Sequence, residues 1–106
     1  MKLITILVAT LLSLSVWASE PVWIDVRSAG EFAGEHLDGA HNIPHTQISA
    51  DIAALSLDKD AEILLYCRSG RRAGVALEAL QKLGYTNVKN IGGLEDAKAY
   101  SAGGTL

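Results

Sequence analysis

The residues best suited to chemistry form one short run around the single cysteine of the chain. Its members are Cys67, Arg68, Ser69, Gly70, Arg71 and Arg72. The cysteine follows an apolar run that is typical of a buried strand, and a helical pattern begins four residues later. A loop that closes so tightly directs successive backbone N–H groups inward, and the helix N-terminus adds partial positive charge. The run therefore predicts a cradle that binds an oxyanion and stabilises a thiolate.

Two further properties of this run favour a reactive cysteine. Gly70 permits the unusual backbone conformation that so tight a loop requires, and the three arginines add full positive charges. We therefore expect a thiol pKa below the ordinary value of about 8.5 and a nucleophilic Cys67. The alternative is an inert buried cysteine with solvated arginines, which would suit a strand interior better than a strand end.

The elements that must position this loop alternate between apolar strands and amphipathic helices. Strands are predicted at residues 22–26, 63–66 and 88–91, with an extended piece at 39–44 and a turn at 92–93. Helices are predicted at 28–35, 47–55, 71–83 and 94–100. This alternation indicates an α/β fold with a mainly parallel central sheet and helices on both faces. Such sheets bind ligands at the carboxyl ends of their strands, here at 25–27 and 67–72.

Several local contacts are also expected. Ser28 and Glu31 have the spacing of a capping box at the start of the first helix. Asp25 is expected to hydrogen-bond backbone groups or to pair with Arg27. The helix at 71–83 should bury one apolar face, formed by Ala73, Ala76, Leu77, Leu80 and Leu83.

Length and composition limit the classes of function. The chain has 106 residues, 12 acidic against 9 basic, and a net charge of −3, so we expect one domain and no nucleic-acid partner. A single cysteine excludes an internal disulfide framework and a CxxC site. His41 and His45 have a metal-like spacing, but Pro44 prevents the helix that would align them, so no metal is expected.

The N-terminal residues have the pattern of a secretory signal peptide. Lys2 precedes a stretch from Leu3 to Ala18 in which 12 of 16 residues are apolar and none is charged. The stretch is short for a membrane span, and no cysteine is present for a lipid anchor. We therefore expect a signal peptide at 1–18, cleavage after Ala18, a mature domain at 19–106 and a periplasmic location without a stable membrane anchor.

Four motifs, in order, resemble those of the rhodanese family. Residues 67–72 resemble its C-x-x-G-x-R active-site loop. Residues 25–44 resemble its D-V-R…E-F…G-H-I-x-G-A-x-N-I-P stretch, with Glu35 in place of the glycine before the histidine. Residues 83–85 and 92–94 resemble its later strand and turn. The chain is thus identified as similar to the short, exported, single-domain sulfurtransferases of this family, over nearly all of its mature length.

This resemblance implies a persulfide mechanism without a cofactor. Cys67 would take the outer sulfur of thiosulfate, or of another sulfane-sulfur donor, and pass it to a small thiol, cyanide or a protein thiol. The backbone N–H groups of the loop would hold the persulfide, and its arginines would attract the donor. The substrate-binding residues would be Arg68, Ser69, Gly70, Arg71 and Arg72. The protein would be a monomer or a weak dimer.

Two other functions remain open from the residues. Cysteine phosphatases and arsenate reductases use a C-x5-R loop, whereas Arg72 follows Cys67 after only four intervening residues, which favours sulfur transfer. A non-catalytic binding module or a sulfur carrier would also use this fold. The presence of Cys67 argues against a module that has lost its chemistry.

Overall fold

The computed structural model describes residues 20–104 as four parallel strands, four α-helices and one short 3₁₀ helix. The elements are β1 (Val22–Asp25), α1 (Ala29–Gly34), β2 (His41–Asn42), α2 (Ile48–Asp51), β3 (Ile63–Cys67), α3 (Arg71–Lys82), β4 (Val88–Gly93) and α4 (Leu94–Ser101). The strand order is β2-β1-β3-β4, and every neighbouring pair is parallel. The predicted α/β fold is confirmed. The predicted signal peptide at 1–18 and the predicted start of the mature chain at Ser19 lie outside the described residues.

The central strand β3 is buried along its whole length, as its continuous apolar sequence predicts. Its residues alternate between two hydrophobic clusters. Ile63, Leu65 and Cys67 face the cluster that includes α2 and α3, whereas Leu64 and Tyr66 face the cluster that includes α4. Helices therefore cover both faces of the sheet, in agreement with the prediction. Between residues 20 and 104, no helix has the length and apolar character needed to cross a membrane.

Helix α3 carries the apolar face that the sequence predicts, with one exception. Ala73, Ala76 and Leu80 are fully buried, and Leu77 packs against the same cluster. The prediction that Leu83 belongs to this face is wrong, because its side chain is 40% exposed. Its N–H still bonds to Ala79, but α3 ends at Lys82, and Leu83 is the C-terminal cap.

The second predicted helix, at 47–55, begins as α2 and tightens into a 3₁₀ helix at Ile52–Leu55. The predicted stripe is still present, because Ile48 and Ile52 are buried and Leu55 packs against them as part of the same cluster. The second half of this segment is thus a 3₁₀ helix where an α-helix is predicted, whereas its buried apolar face agrees with the prediction.

The end of β4 differs from its predicted form. We expected Gly92-Gly93 to turn the chain after a strand at 88–91, but β4 continues through Gly93, where it pairs with Cys67. Helix α4 then begins at once, and Asp96 Oδ2 accepts the Gly93 N–H at 2.8 Å. The two glycines therefore extend the sheet to the level of the cysteine loop instead of turning away from it.

Candidate active site

Cys67 is the last residue of β3, and its side chain is almost completely buried. Three residues separate it from Arg71, the first residue of α3. The strand is central, with β1 on one side and β4 on the other, so the loop stands at the carboxyl edge of the sheet. This is the place where parallel sheets bind their ligands, as the sequence analysis predicts.

The Cys67 sulfur accepts hydrogen bonds from the backbone that follows it. The Gly70 N–H donates to Sγ at 2.9 Å, and the Ala73 N–H donates at 3.4 Å. Both groups lie at the start of α3, where N–H groups lack partners within the helix. The predicted inward-facing loop is therefore present, with the sulfur at its centre.

The pKa of the Cys67 thiol is lowered by this arrangement. Burial raises the pKa, but the backbone N–H groups of Ala73, Ser69, Gly70 and Arg72 together lower it by more. The donors are amide dipoles aimed at one sulfur atom, which favour the thiolate over the thiol. The lowered pKa agrees with the prediction, and the groups that lower it are backbone N–H groups.

The loop can close only because glycine occupies two positions. Gly70 has φ +102°, in the left-handed region, and a Cβ there would also lie 3.4 Å from the Gly92 Cα. Gly93 has an extended backbone, but a Cβ at this position would lie 2.3 Å from the Arg68 carbonyl oxygen. The backbone at the end of β4 therefore packs directly against the backbone of the loop, so closely that a side chain on Gly93 would not fit between them.

The three arginines of the loop have different environments. Arg72 is half-buried and forms a two-point ion pair with Glu31, with Nη1–Oε1 at 2.8 Å and Nη2–Oε2 at 3.1 Å. The Arg68 and Arg71 side chains are exposed. The sequence predicts that all three charges serve the cradle alike, whereas in the structure Arg72 pairs with Glu31 of α1.

Glu31 is strongly acidic for a carboxyl group. Hydrogen bonding to Arg72 is the largest cause, bonds from Ser28 add to it, and the pKa of Glu31 falls to about 2. Glu31 also completes the predicted capping box, since its Oε1 accepts the Ser28 N–H and its own N–H donates to the Ser28 hydroxyl. One carboxylate thus caps the start of α1 and, through Arg72, anchors the start of α3.

Asp25 and Arg27 form the predicted pair at the end of β1. Asp25 Oδ1 accepts the Arg27 backbone N–H at 2.9 Å and Nε at 3.0 Å, and Oδ2 accepts Nη2 at 2.7 Å. Hydrogen bonding to Asp25 raises the pKa of Arg27 above its ordinary value. Arg27 Nη2 also donates to the Glu35 carbonyl at 2.6 Å, so its charge is used within the fold.

The other polar features of the described residues lie away from the sulfur. A cavity of about 470 Å³ is lined by residues at the amino ends of the strands, among them Glu20, Asp58 and Glu62, and by no residue of the cysteine loop. Within residues 20–104, no three His, Cys, Asp or Glu side chains are grouped so that they could hold a metal ion. Among the described residues, the loop around Cys67 therefore remains the candidate site.

A family comparison agrees with this geometry. The family model of the rhodanese-like domain matches residues 8–100. The chain belongs to the rhodanese-like family. The resemblance to the rhodanese family that its motifs indicate is confirmed.

Individual rhodanese-like proteins are similar over most of the chain. It is 44% identical over 88 residues to the thiosulfate sulfurtransferase PspE of Escherichia coli K12, a match that covers 83% of this chain and 84% of PspE. A solved E. coli rhodanese with bound anions superposes with a TM-score of 0.69 at 43% identity, covering 73% of this chain and 91% of that one. The human single-domain sulfurtransferase TSTD1 gives 0.59 at 30% identity, covering 65% and 72%.

Within this rhodanese-like domain, only some of the predicted site residues contact the Cys67 sulfur. The backbone N–H groups of Ser69, Gly70 and Arg72 converge on Cys67, whereas the Arg68 and Arg71 side chains are exposed near it. Sequence reasoning missed three supporting positions: Glu31 as the partner of Arg72, Gly93 beneath Arg68, and Asn90, which bonds to Gly70. The doubled glycine at 92–93 is a sequence signal for the second of these positions, although its pattern alone predicts a turn.

Proposed function

We propose that the protein is a thiosulfate sulfurtransferase that carries sulfur as a persulfide on Cys67. The observation that carries this proposal is a buried sulfur whose hydrogen-bond donors are backbone N–H groups at the start of α3. These donors favour the thiolate, which is the form that attacks sulfur. The 44% identity to a protein named thiosulfate sulfurtransferase supports the same reaction.

The reaction has two balanced steps. The Cys67 thiolate attacks the outer sulfur of thiosulfate, a new S–S bond forms, and the old S–S bond breaks so that sulfite leaves with its electron pair. An acceptor thiolate then attacks the outer sulfur of the Cys67 persulfide, takes that sulfur and releases the original Cys67 thiolate. Cyanide in place of the thiol gives thiocyanate. Neither step requires an external oxidant or reductant, and the kinetics are of the ping-pong type.

The loop residues have separate roles in this scheme. The N–H groups that follow Cys67 hold the negative charge of the thiolate and then of the persulfide. Arg68 and Arg71, whose side chains are exposed, attract the dianionic donor. Arg72 keeps the start of α3 in place through its ion pair with Glu31. Replacing Arg68 should therefore raise KM for thiosulfate, whereas replacing Arg72 should also lower kcat.

We also propose that the protein is exported and acts in the periplasm. The apolar stretch at 3–18 and the small residues before Ser19 support cleavage after Ala18. The acceptor would then be a small thiol, cyanide or a protein thiol of that compartment, and the protein would be a monomer or a weak dimer. N-terminal mass spectrometry of the exported protein should find Ser19 as the first residue, and an intact Met1 would contradict the cleavage.

Intact-mass spectrometry tests the reaction itself. Incubation with thiosulfate should add one sulfur, about 32 Da, and cyanide should remove it as thiocyanate. The Cys67→Ser variant should show neither change, since a hydroxyl is a far poorer nucleophile at neutral pH. A wild-type protein that gains no mass but hydrolyses an aryl phosphate through Cys67 would instead be a phosphatase.

A further inference from the structure

Asn90 is a half-buried residue of β4 whose side chain joins the strand to the cysteine loop. Its Nδ2 donates to the Gly70 carbonyl oxygen at 2.8 Å, and its Oδ1 accepts the Gly92 N–H at 3.0 Å. Both contacts need the same orientation of the amide, because the opposite orientation would place N–H groups against the Gly92 N–H. Asn90 is therefore fixed at one end by its own strand and holds the loop with the other.

The position of Asn90 coincides with an irregularity in the sheet. Leu65 of β3 pairs with Asn90, but the next residue, Tyr66, pairs with Gly92, so Ile91 has no partner in the register. An extra residue of this kind changes the direction of neighbouring side chains, and such bulges are frequent next to active sites. Here it brings the Asn90 amide to the start of α3, where a Cβ on Gly74 would lie 3.6 Å from Nδ2.

Two hydrogen bonds hold the Gly70 carbonyl in place. It accepts the Gly74 N–H at 2.9 Å as well as the Asn90 amide, so both lone pairs of its oxygen are used. Gly70 has no side chain and a wide choice of backbone angles, so nothing within the residue holds it at φ +102° and ψ −14°. The Asn90 bond restricts that choice, and in the observed conformation the Gly70 N–H lies 2.9 Å from Cys67 Sγ.

We propose that Asn90 is a positioning residue for the Cys67 thiolate: it holds the Gly70 carbonyl so that the Gly70 N–H stays directed at the sulfur. Asn90 acts through Gly70. Its importance for turnover rests on the sulfur transfer proposed above, whereas its effect on the thiolate does not depend on any substrate.

Removing the Asn90 amide should make the thiolate less stable and the enzyme slower. In Asn90→Ala, only the Gly74 N–H still holds the Gly70 carbonyl, so Gly70 samples more conformations and its charge-assisted hydrogen bond to sulfur is weakened. We expect the pKa of Cys67 to rise by about 0.5–1 unit. We expect kcat/KM for thiosulfate to fall about tenfold, less than the loss of a whole oxyanion donor would cause.

The test is a pH titration of the thiolate by its ultraviolet absorbance, with Cys67→Ser as the blank. The matched control is Asn87→Ala, because Asn87 lies just before β4 and its side-chain amide donates to the Asp60 carbonyl, at 3.5 Å, and not to the cysteine loop. Asn90→Ala should shift the midpoint upward, and Asn87→Ala should titrate like the wild type. Thermal unfolding of each variant shows that the folded protein is being measured.

A second variant protects the test against loss of folding. Asn90→Leu keeps four side-chain heavy atoms branched at Cγ but has no hydrogen-bond donor, and it should show the same upward shift as Asn90→Ala. A folded variant that lacks the amide but keeps the wild-type midpoint would overturn the proposal, even if its melting temperature falls, because Asn90 would then be structural only. A wild-type protein that takes no sulfur from thiosulfate would refute the proposed function without affecting this titration.

Discussion

The ends of β1 and β3 lie side by side, and each carries a buried ionisable group. Asp25 is the register partner of Tyr66, the residue before Cys67, and the Val26 N–H donates to the Tyr66 carbonyl at 3.0 Å. Yet the negative charges of the two groups are stabilised in different ways. The Asp25 carboxylate forms an ion pair with Arg27, whereas the Cys67 thiolate is stabilised by backbone N–H groups.

This difference explains why only one of the two strand ends is expected to react. A carboxylate that is bonded to a guanidinium at both oxygens has its charge compensated and its lone pairs occupied. Amide dipoles stabilise an anion without a fixed counterion, so the thiolate keeps a lone pair for attack. Two neighbouring strand ends thus differ in their surroundings: one holds the sheet edge, and the other presents the nucleophile that we propose.

The largest loss of stability should come from breaking the ion pair between Asp25 and Arg27 at the end of β1. Asp25→Ala leaves the Arg27 cation, only 7% exposed, without its partner. Removal of one member of a buried pair costs about 3–5 kcal/mol, so the free energy of unfolding in urea should fall by about that amount. Asp38→Ala, at an exposed position, is the control and should change little. A loss below about 1 kcal/mol for Asp25→Ala would show that the pair does not support the fold.

A smaller effect is expected where β4 supports the loop at β3. In Gly93→Ala, the new Cβ would lie 2.3 Å from the Arg68 carbonyl oxygen, so the loop must move. We expect a loss of about 1–3 kcal/mol in stability, as in other overpacked sites, together with a higher pKa of Cys67. Gly30→Ala, where a Cβ meets nothing within 4 Å, should be neutral or stabilising. An unchanged thiolate titration in Gly93→Ala would contradict the proposed dependence of the thiolate on β4.

The smallest loss of stability is expected at Glu31, whose ion pair with Arg72 supports the start of α3 beside the cysteine loop. Its pKa is lower in the folded protein, about 2, than the ordinary 4.5, so the carboxylate adds stability above that value and loses it as the pH falls toward 2. Glu31→Gln should therefore cost about 1 kcal/mol near neutral pH, and the difference from wild type should shrink below pH 4.5. Glu78→Gln, on the exposed side of α3, is the control. A difference that does not change with pH would exclude the ion pair as its cause.

Local patterns in the sequence predicted much of the fold and the centre of the site. The capping box of Ser28 and Glu31, the pair of Asp25 and Arg27, and the short loop after Cys67 all depend on residues close in sequence. Their geometry follows from propensity and spacing alone, which explains why these predictions are confirmed.

The supporting contacts could not be predicted, because they depend on which elements become neighbours. Glu31 meets Arg72 across 41 positions, and Asn90 meets Gly70 across 20. The sequence predicts Gly93 as a turn residue, since its contact with the loop arises only when β4 pairs with the end of β3. A single sequence contains the residue types for these contacts but not the strand order that joins them.

The central claim is that backbone N–H groups, more than arginine charges, stabilise the Cys67 thiolate. The most direct test is the ultraviolet titration of that thiolate in wild-type protein at low and at high salt, with Cys67→Ser as the blank. Salt screens exposed charges such as those of Arg68 and Arg71 but has little effect on buried dipoles. The predicted result is a midpoint below about 8.5 that hardly moves with salt. A midpoint at or above that value, or a low midpoint that rises to it in high salt, would contradict the claim.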